Sequence, residues 1–265
     1  FGWVTDGATN VLELNRRLRE VCYIRREKRD VLAELPDITK QVIQVPITNI
    51  TKIKRATNDL IEYIKETKGS ESAEKAQEAE HLVALSVLRK LAIEGKMKAI
   101  ELFLRDWKVA EKGKLVIFGI HREGLDHLSD KFKSMLIAGG VSSIKKQEIV
   151  KKWITNDDMF LFANMQSAGT GVDGLQKVCS NMLILELPWR PSDLTQTIGR
   201  LDRSGQKSST TVSFMLSDET IDQEMFEMLA AKEQVTEAVN KGVDIGRNKS
   251  GLKQVLKKIL KKGKI

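Results

Sequence analysis

The stretch MFLFANMQSAGTGVDGLQKVCSNMLILELPWR, residues 159–190, contains two short apolar runs separated by a segment rich in glycine. The runs MFLFA, at 159–163, and MLILEL, at 182–187, have the length and composition of strands buried on both faces. Similar runs occur as LVIF at 115–118, SMLIA at 134–138 and TVSFML at 211–216, with helical patterns near 121–132, 143–154, 191–203 and 218–232. Strands that alternate with helices predict an α/β fold, with a parallel sheet covered by helices on both faces.

The pattern of the chain changes near residue 93. Residues 1–92 are predicted to be mostly helical, and within them only KQVIQVPIT, at 40–48, alternates like a strand. Residues 93–232 contain the alternating strands and helices and are predicted to form the α/β lobe. Residues 233–265 are predicted to form a separate basic tail.

Composition indicates an intracellular globular protein without bound metal. Of the 265 residues, 41% are hydrophobic and 30% are charged, and no run approaches the roughly 18 apolar residues that a membrane span needs. The start FGWVTDGATN has no basic leader, so we expect an intracellular location and no membrane partner: cytoplasm or nucleoid in a prokaryote or phage, the nucleus in a eukaryote. Cys22, Cys179 and the three histidines lack metal-ligand spacing, so neither a metal site nor a disulfide is expected.

The excess of positive charge is concentrated at the end of the sequence. Residues 247–265 contain eight basic side chains and no acid, and the rest of the chain is balanced at 36 basic against 36 acidic residues. An apolar stripe at helical spacing runs through this tail at Leu252, Val255, Leu256, Ile259 and Leu260. Such a helix could dock on the lobe, contact nucleic-acid phosphates or lie on an anionic membrane.

The glycine-rich segment NMQSAGTGVDGLQ, at 164–176, follows a predicted strand directly. Glycine frees the backbone to expose its N–H groups, and Ser167, Thr170 and Asp173 add short polar side chains. Parallel sheets place their ligands at the carboxyl ends of the strands, where this segment begins. A turn without a ligand remains the alternative for a glycine-rich loop alone.

The stretch QTIGRLDRSGQ, at 196–206, places two arginines three positions apart. On the helix predicted over 191–203, Arg200 and Arg203 would share one face, with Gln196 one turn before Arg200. Guanidinium forks bind phosphate oxygens with two hydrogen bonds at once, which lysine cannot do. The stretch therefore predicts a polyphosphate site, with a solvated helix face as the alternative.

Taken in order, these blocks resemble a known family. QSAGTGVDGLQ, ELPWRPSD and QTIGRLDRSGQ are similar to motifs V and VI of superfamily two helicases, in the form found in Swi/Snf-type DNA-dependent ATPases. KLVIFGIHREGLDHL, at 114–128, resembles motif IV, and GGVSSIKKQEIVKKW, at 139–153, resembles the segment that leads to the next strand. Residues 23–48 resemble the arginine-rich linker between the two motor lobes.

The resemblance implies a second RecA-like lobe at 93–232, preceded at 1–92 by a helical protrusion and the inter-lobe linker. It assigns Arg200 and Arg203 as arginine fingers with Gln196 beside them, and Gly171 and Asp173 as nucleotide contacts. Arginine fingers neutralise charge on the transferred γ-phosphoryl group and can be worth ~10³–10⁵ in rate.

The resemblance also implies contacts with the backbone of double-stranded DNA. Ser167 and the neighbouring amide of Ala168 would contact DNA from motif V, and Arg122 would do so from motif IV. No base specificity is expected, because a translocase must treat every base alike. Within the linker, Arg25, Arg26, Lys28 and Arg29 form either a solvated helix face or a clamp onto DNA or between the lobes.

Two departures from the family pattern bear on activity. Asp173 stands where the family usually has Asn, and Gly174 follows it where the family has Leu. The sequence contains no G-x-x-x-x-G-K-[ST] motif, and no D-E-x-x follows a strand where the family places its magnesium-binding acids, so ATP and Mg²⁺ would be held mainly by an N-terminal RecA-like lobe absent from this chain. We therefore expect this chain alone to be inactive. The alternatives are a catalytically inactive interaction module and the lobe of an RNA-directed helicase.

Overall fold

A computed structural model describes residues 10–24, 26, 28–59, 62–63, 66, 80–169 and 171–242. These residues form one six-stranded sheet in which every adjacent pair of strands is parallel, in the order β1-β6-β5-β2-β4-β3. The strands are β1 Ile38–Gln44, β2 Leu115–Gly119, β3 Met135–Ile137, β4 Phe160–Asn164, β5 Asn181–Ile184 and β6 Thr210–Leu216. Because all strands run the same way, their carboxyl ends meet at one edge of the sheet.

The described helices connect these strands and cover both faces of the sheet. They are α1 Val11–Val21, α2 Lys28–Val31, α3 Ile50–Asn58, α4 Glu80–Val109, α5 Arg122–Phe132, α6 Ser143–Thr155, α7 Met165–Ala168, α8 Pro191–Ile198 and α9 Ile221–Lys241. A short 3₁₀ turn, Leu175–Lys177, precedes β5.

Alternate residues of the central strands enter two different hydrophobic cores. In β2, Val116 and Phe118 belong to one core and Leu115 and Ile117 to the other. The first core is closed by α3, α6, α9 and the first half of α4, and the second by α5 and the later part of α4. Burial on both faces explains why these strands are apolar throughout. The predicted α/β fold, with its parallel sheet covered on both faces, is confirmed.

Three elements do not follow the boundaries that we expected from the sequence. The helix α4 continues through residues 92 and 93, because its apolar face passes without a break from one core to the other. The edge strand β1 belongs to the region expected to be mainly helical, yet it pairs along its whole length with β6. The helix α9 likewise continues past residue 232 to Lys241. The lobe and the residues before it therefore share one sheet.

A fully buried lysine joins α4 to the carboxyl ends of two strands. Lys96 is 0% exposed, and its Nζ donates to the carbonyl oxygens of Leu185, at 2.6 Å, and Met215, at 3.0 Å. The same nitrogen lies 2.7 Å from Oδ2 of Asp222 in the first turn of α9. All three donor hydrogens of the ammonium thus have partners, which a buried charge requires.

Several expectations concern residues outside the described ranges: the amphipathic basic tail at 247–265, Arg25 in the linker and Thr170 in the glycine-rich segment. Within the described ranges, none of the helices is long and apolar enough to cross a membrane. Cys22 is exposed and Cys179 is buried, and both are free thiols. Burial raises the pKa of Cys179 to about 11, so this thiol stays protonated at neutral pH.

Candidate functional site

The candidate site begins where β4 ends, in the middle of the carboxyl edge of the sheet. The side chain of Asn164 caps α7 by accepting from the amide of Ser167, at 3.2 Å, and from its hydroxyl, at 3.3 Å. Its Nδ2 donates 2.7 Å to the carbonyl oxygen of Ile120, just after the neighbouring strand β2. One asparagine therefore fixes the start of the glycine-rich segment against the turn that follows β2.

The glycine-rich segment is held from its outer side by the helix α6. Lys146, which is nearly buried, donates 2.7 Å to the carbonyl oxygen of Ser167, and Gln147 donates 2.8 Å to that of Gly171. Gly171 and Gly174 have φ values of 73° and 99°, in the left-handed region that favours glycine. The two glycines thus allow turns that other residues would make only under strain.

The structure corrects our expectation that the two arginines lie on a helix. The helix α8 ends at Ile198, and residues 199–205 form successive turns. The side chain of Leu201 is 0% exposed, and Gln206 donates to the Leu201 carbonyl oxygen at 3.3 Å, so the chain bends toward the core. Helical i,i+3 spacing therefore does not explain why the arginines lie close together. We call residues 199–205 the arginine turn.

Arg200 points back to the glycine-rich segment and binds its main chain. One terminal nitrogen donates 2.9 Å to the Val172 carbonyl oxygen, and the other donates to that of Gly169. Its Nε is buried without a hydrogen-bond partner. Burial first, and then the neighbouring charge of Arg203, lowers the pKa of Arg200, although a guanidinium remains a cation at neutral pH.

Arg203 contacts the same segment through a carboxylate. Its terminal nitrogen lies 2.9 Å from Oδ1 of Asp173, whose side chain is 61% exposed. That oxygen also accepts from the amide of Gly174 at 2.7 Å. Both guanidinium groups predicted from the sequence therefore meet the glycine-rich segment, one through carbonyl oxygens and one through an acid.

The other predicted residues have different surroundings. Gln196 is exposed on α8. Its Oε1 lies 3.9 Å from the position that a Cβ atom would take on Gly169, so Gln196 lies beside the glycine-rich segment and near Arg200. Ser167 is half-buried, but Ala168 is 0% exposed over its whole residue, so the expected contact of its amide with DNA does not fit this structure. Arg122 is exposed after β2 and pairs at 3.2 Å with Asp126 on its own helix. It is not held against the two finger candidates.

Sequence reasoning missed a buried carboxylate at the same edge. Glu186, 5% exposed, accepts from the amides of Ile120, at 2.7 Å, and His121, at 2.9 Å, and it also binds Nδ1 of His121. Burial tends to raise the pKa of Glu186, but the bonds from His121 and the two amides outweigh it, so its pKa lies below the usual value. The sequence feature that could have revealed this carboxylate is the single acidic residue inside the apolar run MLILEL.

The sequence also did not predict a contact between the linker and the arginine turn. Nζ of Lys28 donates 2.6 Å to the carbonyl oxygen of Asp202 and lies 2.7 Å from its Oδ2. Trp189 is half-buried against the core, with the guanidinium of Arg89 4.8 Å above its ring. Across the part of the chain that the structure describes, His, Cys, Asp and Glu form no group of three that could hold a metal ion.

Comparisons with known proteins agree on one family. Residues 95–205 match the helicase conserved C-terminal domain. The chain is 28% identical over 241 residues to the SWI/SNF-related matrix-associated actin-dependent regulator of chromatin subfamily A-like protein 1 of Xenopus tropicalis. It is 26% identical over 242 residues to the human DNA annealing helicase and endonuclease ZRANB3.

These alignments cover 89% and 88% of this chain but only 25% and 22% of the two relatives, so the chain spans about a quarter of their length. A solved structure, the C-terminal part of the Fun30 ATPase domain, is 14% identical to this chain, with a TM-score of 0.49. The match covers 95% of this chain and 90% of the chain in that structure. The domain match and the Swi/Snf-related relatives confirm the resemblance, predicted from the sequence, to the C-terminal RecA-like lobe of Swi/Snf-type helicases.

Proposed function

We propose that this chain is the second motor lobe of an ATP-dependent translocase or remodeller of double-stranded DNA. Arg200 and Arg203 would supply positive charge to ATP that is bound on a first RecA-like lobe. The observation that carries the proposal is that both guanidinium groups meet the glycine-rich segment at the carboxyl edge of the sheet. Ligands of open parallel sheets bind at this edge.

The residues at this edge fit the phosphate end of a nucleotide. Nε of Arg200 is a buried donor without a partner, so the guanidinium keeps one donor that its main-chain partners leave unsatisfied. Two guanidinium forks can share the oxygens of one phosphate, and the main chain at Gly171 is exposed beside them.

Each predicted residue would then have a defined task. Arg200 and Arg203 neutralise charge that develops on the terminal phosphate, which ATP supplies, and Gln196 lies close enough to help orient the reacting group. Asp173 lies at the nucleotide with Gly171 and holds Arg203 when no phosphate competes for it. Ser167 and Arg122 bind DNA phosphates without reading bases.

The relatives support a DNA substrate, since one is named a DNA annealing helicase and another a regulator of chromatin. A role on DNA also implies an intracellular location, in a nucleus or a nucleoid.

The first test is ATP hydrolysis by the purified chain and by a motor in which the chain is joined to its first lobe. We expect no turnover by the chain alone and DNA-stimulated turnover by the joined motor. Turnover by the chain alone would overturn the division of labour between lobes. Stimulation by RNA but not DNA would favour an RNA helicase, and a joined motor that binds DNA without hydrolysis would favour an inactive module.

The second test changes the finger arginines in the joined motor. Arg200→Ala or Arg203→Ala should lower DNA-stimulated turnover by ~10³-fold or more while ATP binding is kept, because an arginine finger acts mainly in the transition state. Arg105→Ala, at an exposed position of α4, is the matched control and should leave turnover unchanged. Near-normal turnover in either finger variant would remove that residue from the role.

A further inference from the structure

The segment that leads into the sheet is attached to the lobe at both of its ends. At its start, Nδ2 of Asn15 in α1 donates to the carbonyl oxygens of Val239, at 2.5 Å, and Asn240, at 3.1 Å. At its end, the carbonyl oxygen of Asp37 accepts from the amide of Thr210, at 3.1 Å, where β1 pairs with β6. The segment is thus anchored to the lobe at Asn15 and at Asp37, and Lys28 lies between these two anchors in the sequence.

Lys28 binds the residue at the centre of the arginine turn in two ways. Its ammonium donates to the main-chain oxygen of Asp202 at 2.6 Å and to its carboxylate at 2.7 Å. The side chain of Asp202 is only 16% exposed, whereas that of Lys28 is 51% exposed. The lysine therefore fixes both the main chain and the side chain of Asp202 from the solvent side.

The same turn is fixed from the inside by residues on either side of Asp202. Leu201 is fully buried, and Gln206 donates to the main chain of Leu201. Arg200 and Arg203 flank this anchored unit. The position of both guanidinium groups thus depends on an apolar anchor below the turn and an ionic anchor above it.

Charge gives Lys28 a second effect on the finger candidates. Asp202 stands between two arginines, and an aspartate without a partner there would attract a guanidinium away from a phosphate. Arg203 already has one acidic partner, Asp173. By binding the carboxylate of Asp202, Lys28 keeps this second acid from competing.

We propose that Lys28 is a positioning residue for Arg200 and Arg203, and that it joins the segment entering the lobe to the arginine turn. This inference rests on the proposed function, because it concerns the same two arginines. Lys28 contacts no reacting group in this arrangement. It acts through Asp202, so it affects the rate of ATP hydrolysis more than the binding of ATP.

The experiment measures DNA-stimulated ATP hydrolysis by the joined motor carrying Lys28→Met. We expect kcat to fall about tenfold, less than the ~100-fold that a 1 Å misplacement of a reacting group can cost. The KM for ATP and the thermal unfolding midpoint should stay unchanged, since Lys28 is at the surface. Lys28→Arg keeps the charge and should restore most of the lost activity.

A matched control is Lys40→Met, because Lys40 is 48% exposed and pairs at 3.7 Å with Glu233, on α9 rather than on the arginine turn. Combining Lys28→Met with Asp202→Asn should cost no more than Lys28→Met alone, since the competing acid is then neutral. Three results would overturn the inference. They are a Lys28→Met motor as active as the Lys40→Met motor, losses of activity that add together in the double variant, and a Lys28→Arg motor as impaired as the Lys28→Met motor. An inactive unsubstituted motor would overturn the proposed function and this inference with it.

Discussion

Two of the ion pairs at the carboxyl edge of the sheet have opposite surroundings. Lys96 and Asp222 lie 2.7 Å apart, with side chains 0% and 9% exposed, and the lysine also binds two strand carbonyls. Arg203 and Asp173 lie 2.9 Å apart, but their side chains are 37% and 61% exposed. The first pair joins α4, α9 and two strands, whereas the second joins a surface turn to a glycine-rich loop.

The difference shows which charges can change partners during function. Removing one member of a buried pair leaves an uncompensated charge and costs several kcal/mol, so such a pair stays closed. An exposed pair contributes about 0–1 kcal/mol, so a phosphate can displace the acid at little cost. Lys96 therefore contributes to stability, and the exposure of Arg203 supports the proposal that Arg203 binds a ligand, although the two distances are nearly equal.

The largest effect on stability is expected from Lys96→Met, which tests the buried pair of this comparison. The substitution leaves Asp222 buried without its cation, and we expect the free energy of unfolding to fall by about 3–5 kcal/mol. Chemical denaturation of the chain measures the change. Lys90→Met is the control on the same helix, because Lys90 pairs with Glu123 at the surface at 2.6 Å and should cost less than about 1 kcal/mol. Equal losses in the two variants would contradict the assignment.

An intermediate effect is expected from Glu186→Gln. The carbonyl oxygen of glutamine can replace Oε2 and accept from the amides of Ile120 and His121, but its NH₂ then replaces Oε1 at Nδ1 of His121, and the negative charge that strengthens these bonds is lost. We expect a loss of about 1–3 kcal/mol in the free energy of unfolding. Glu101→Gln is the control, since Glu101 binds the more exposed His127 and Lys131. If Glu186→Gln lowers the free energy of unfolding no more than Glu101→Gln does, the burial of Glu186 adds nothing to the stability of the fold.

The same residue predicts a dependence on pH. The pKa of Glu186 is lower in the folded chain than in the unfolded chain, where it is about 4.3. Its contribution is fully present above the unfolded pKa and is lost as the pH falls through the folded pKa. The difference in unfolding free energy between the unsubstituted chain and Glu186→Gln should therefore shrink below about pH 4. If this difference in unfolding free energy instead grew as the pH fell, the downward shift of the Glu186 pKa would be contradicted.

The smallest effect on stability is expected from Asp173→Asn. The variant should unfold within about 0.5 kcal/mol of the unsubstituted chain, because it removes only an exposed pair. In the joined motor it releases Arg203, and ATP turnover should rise by up to about fivefold, the factor that corresponds to 1 kcal/mol. Asp193→Asn is the control, since Asp193 pairs with Arg190 at 3.7 Å on the neighbouring helix. Lower turnover in Asp173→Asn would indicate that the acid acts on the nucleotide directly.

Much of the fold could be predicted from local patterns. The five apolar runs from 115 to 216 all contain strands, because burial on both faces requires an apolar residue at nearly every position. The helix expected over 191–203 was too long, since the buried Leu201 bends the chain after Ile198. The edge strand β1 was grouped with the preceding helices because its partner, β6, lies far along the chain.

The candidate site shows the same division. The sequence by itself determined which types of residue the site contains, namely glycines after a strand and two arginines close together. The backbone freedom of glycine and the charge of arginine belong to the residues themselves. Only the tertiary structure decided their partners, since Arg203 meets Asp173 and Lys28 meets Asp202 across long stretches of sequence. Periodicity reports which side of an element is buried, but the pairing of two charges depends on how distant segments fold together. The carbonyl oxygens that hold Arg200, and those that hold Lys96, leave no trace in the identities of the residues that supply them.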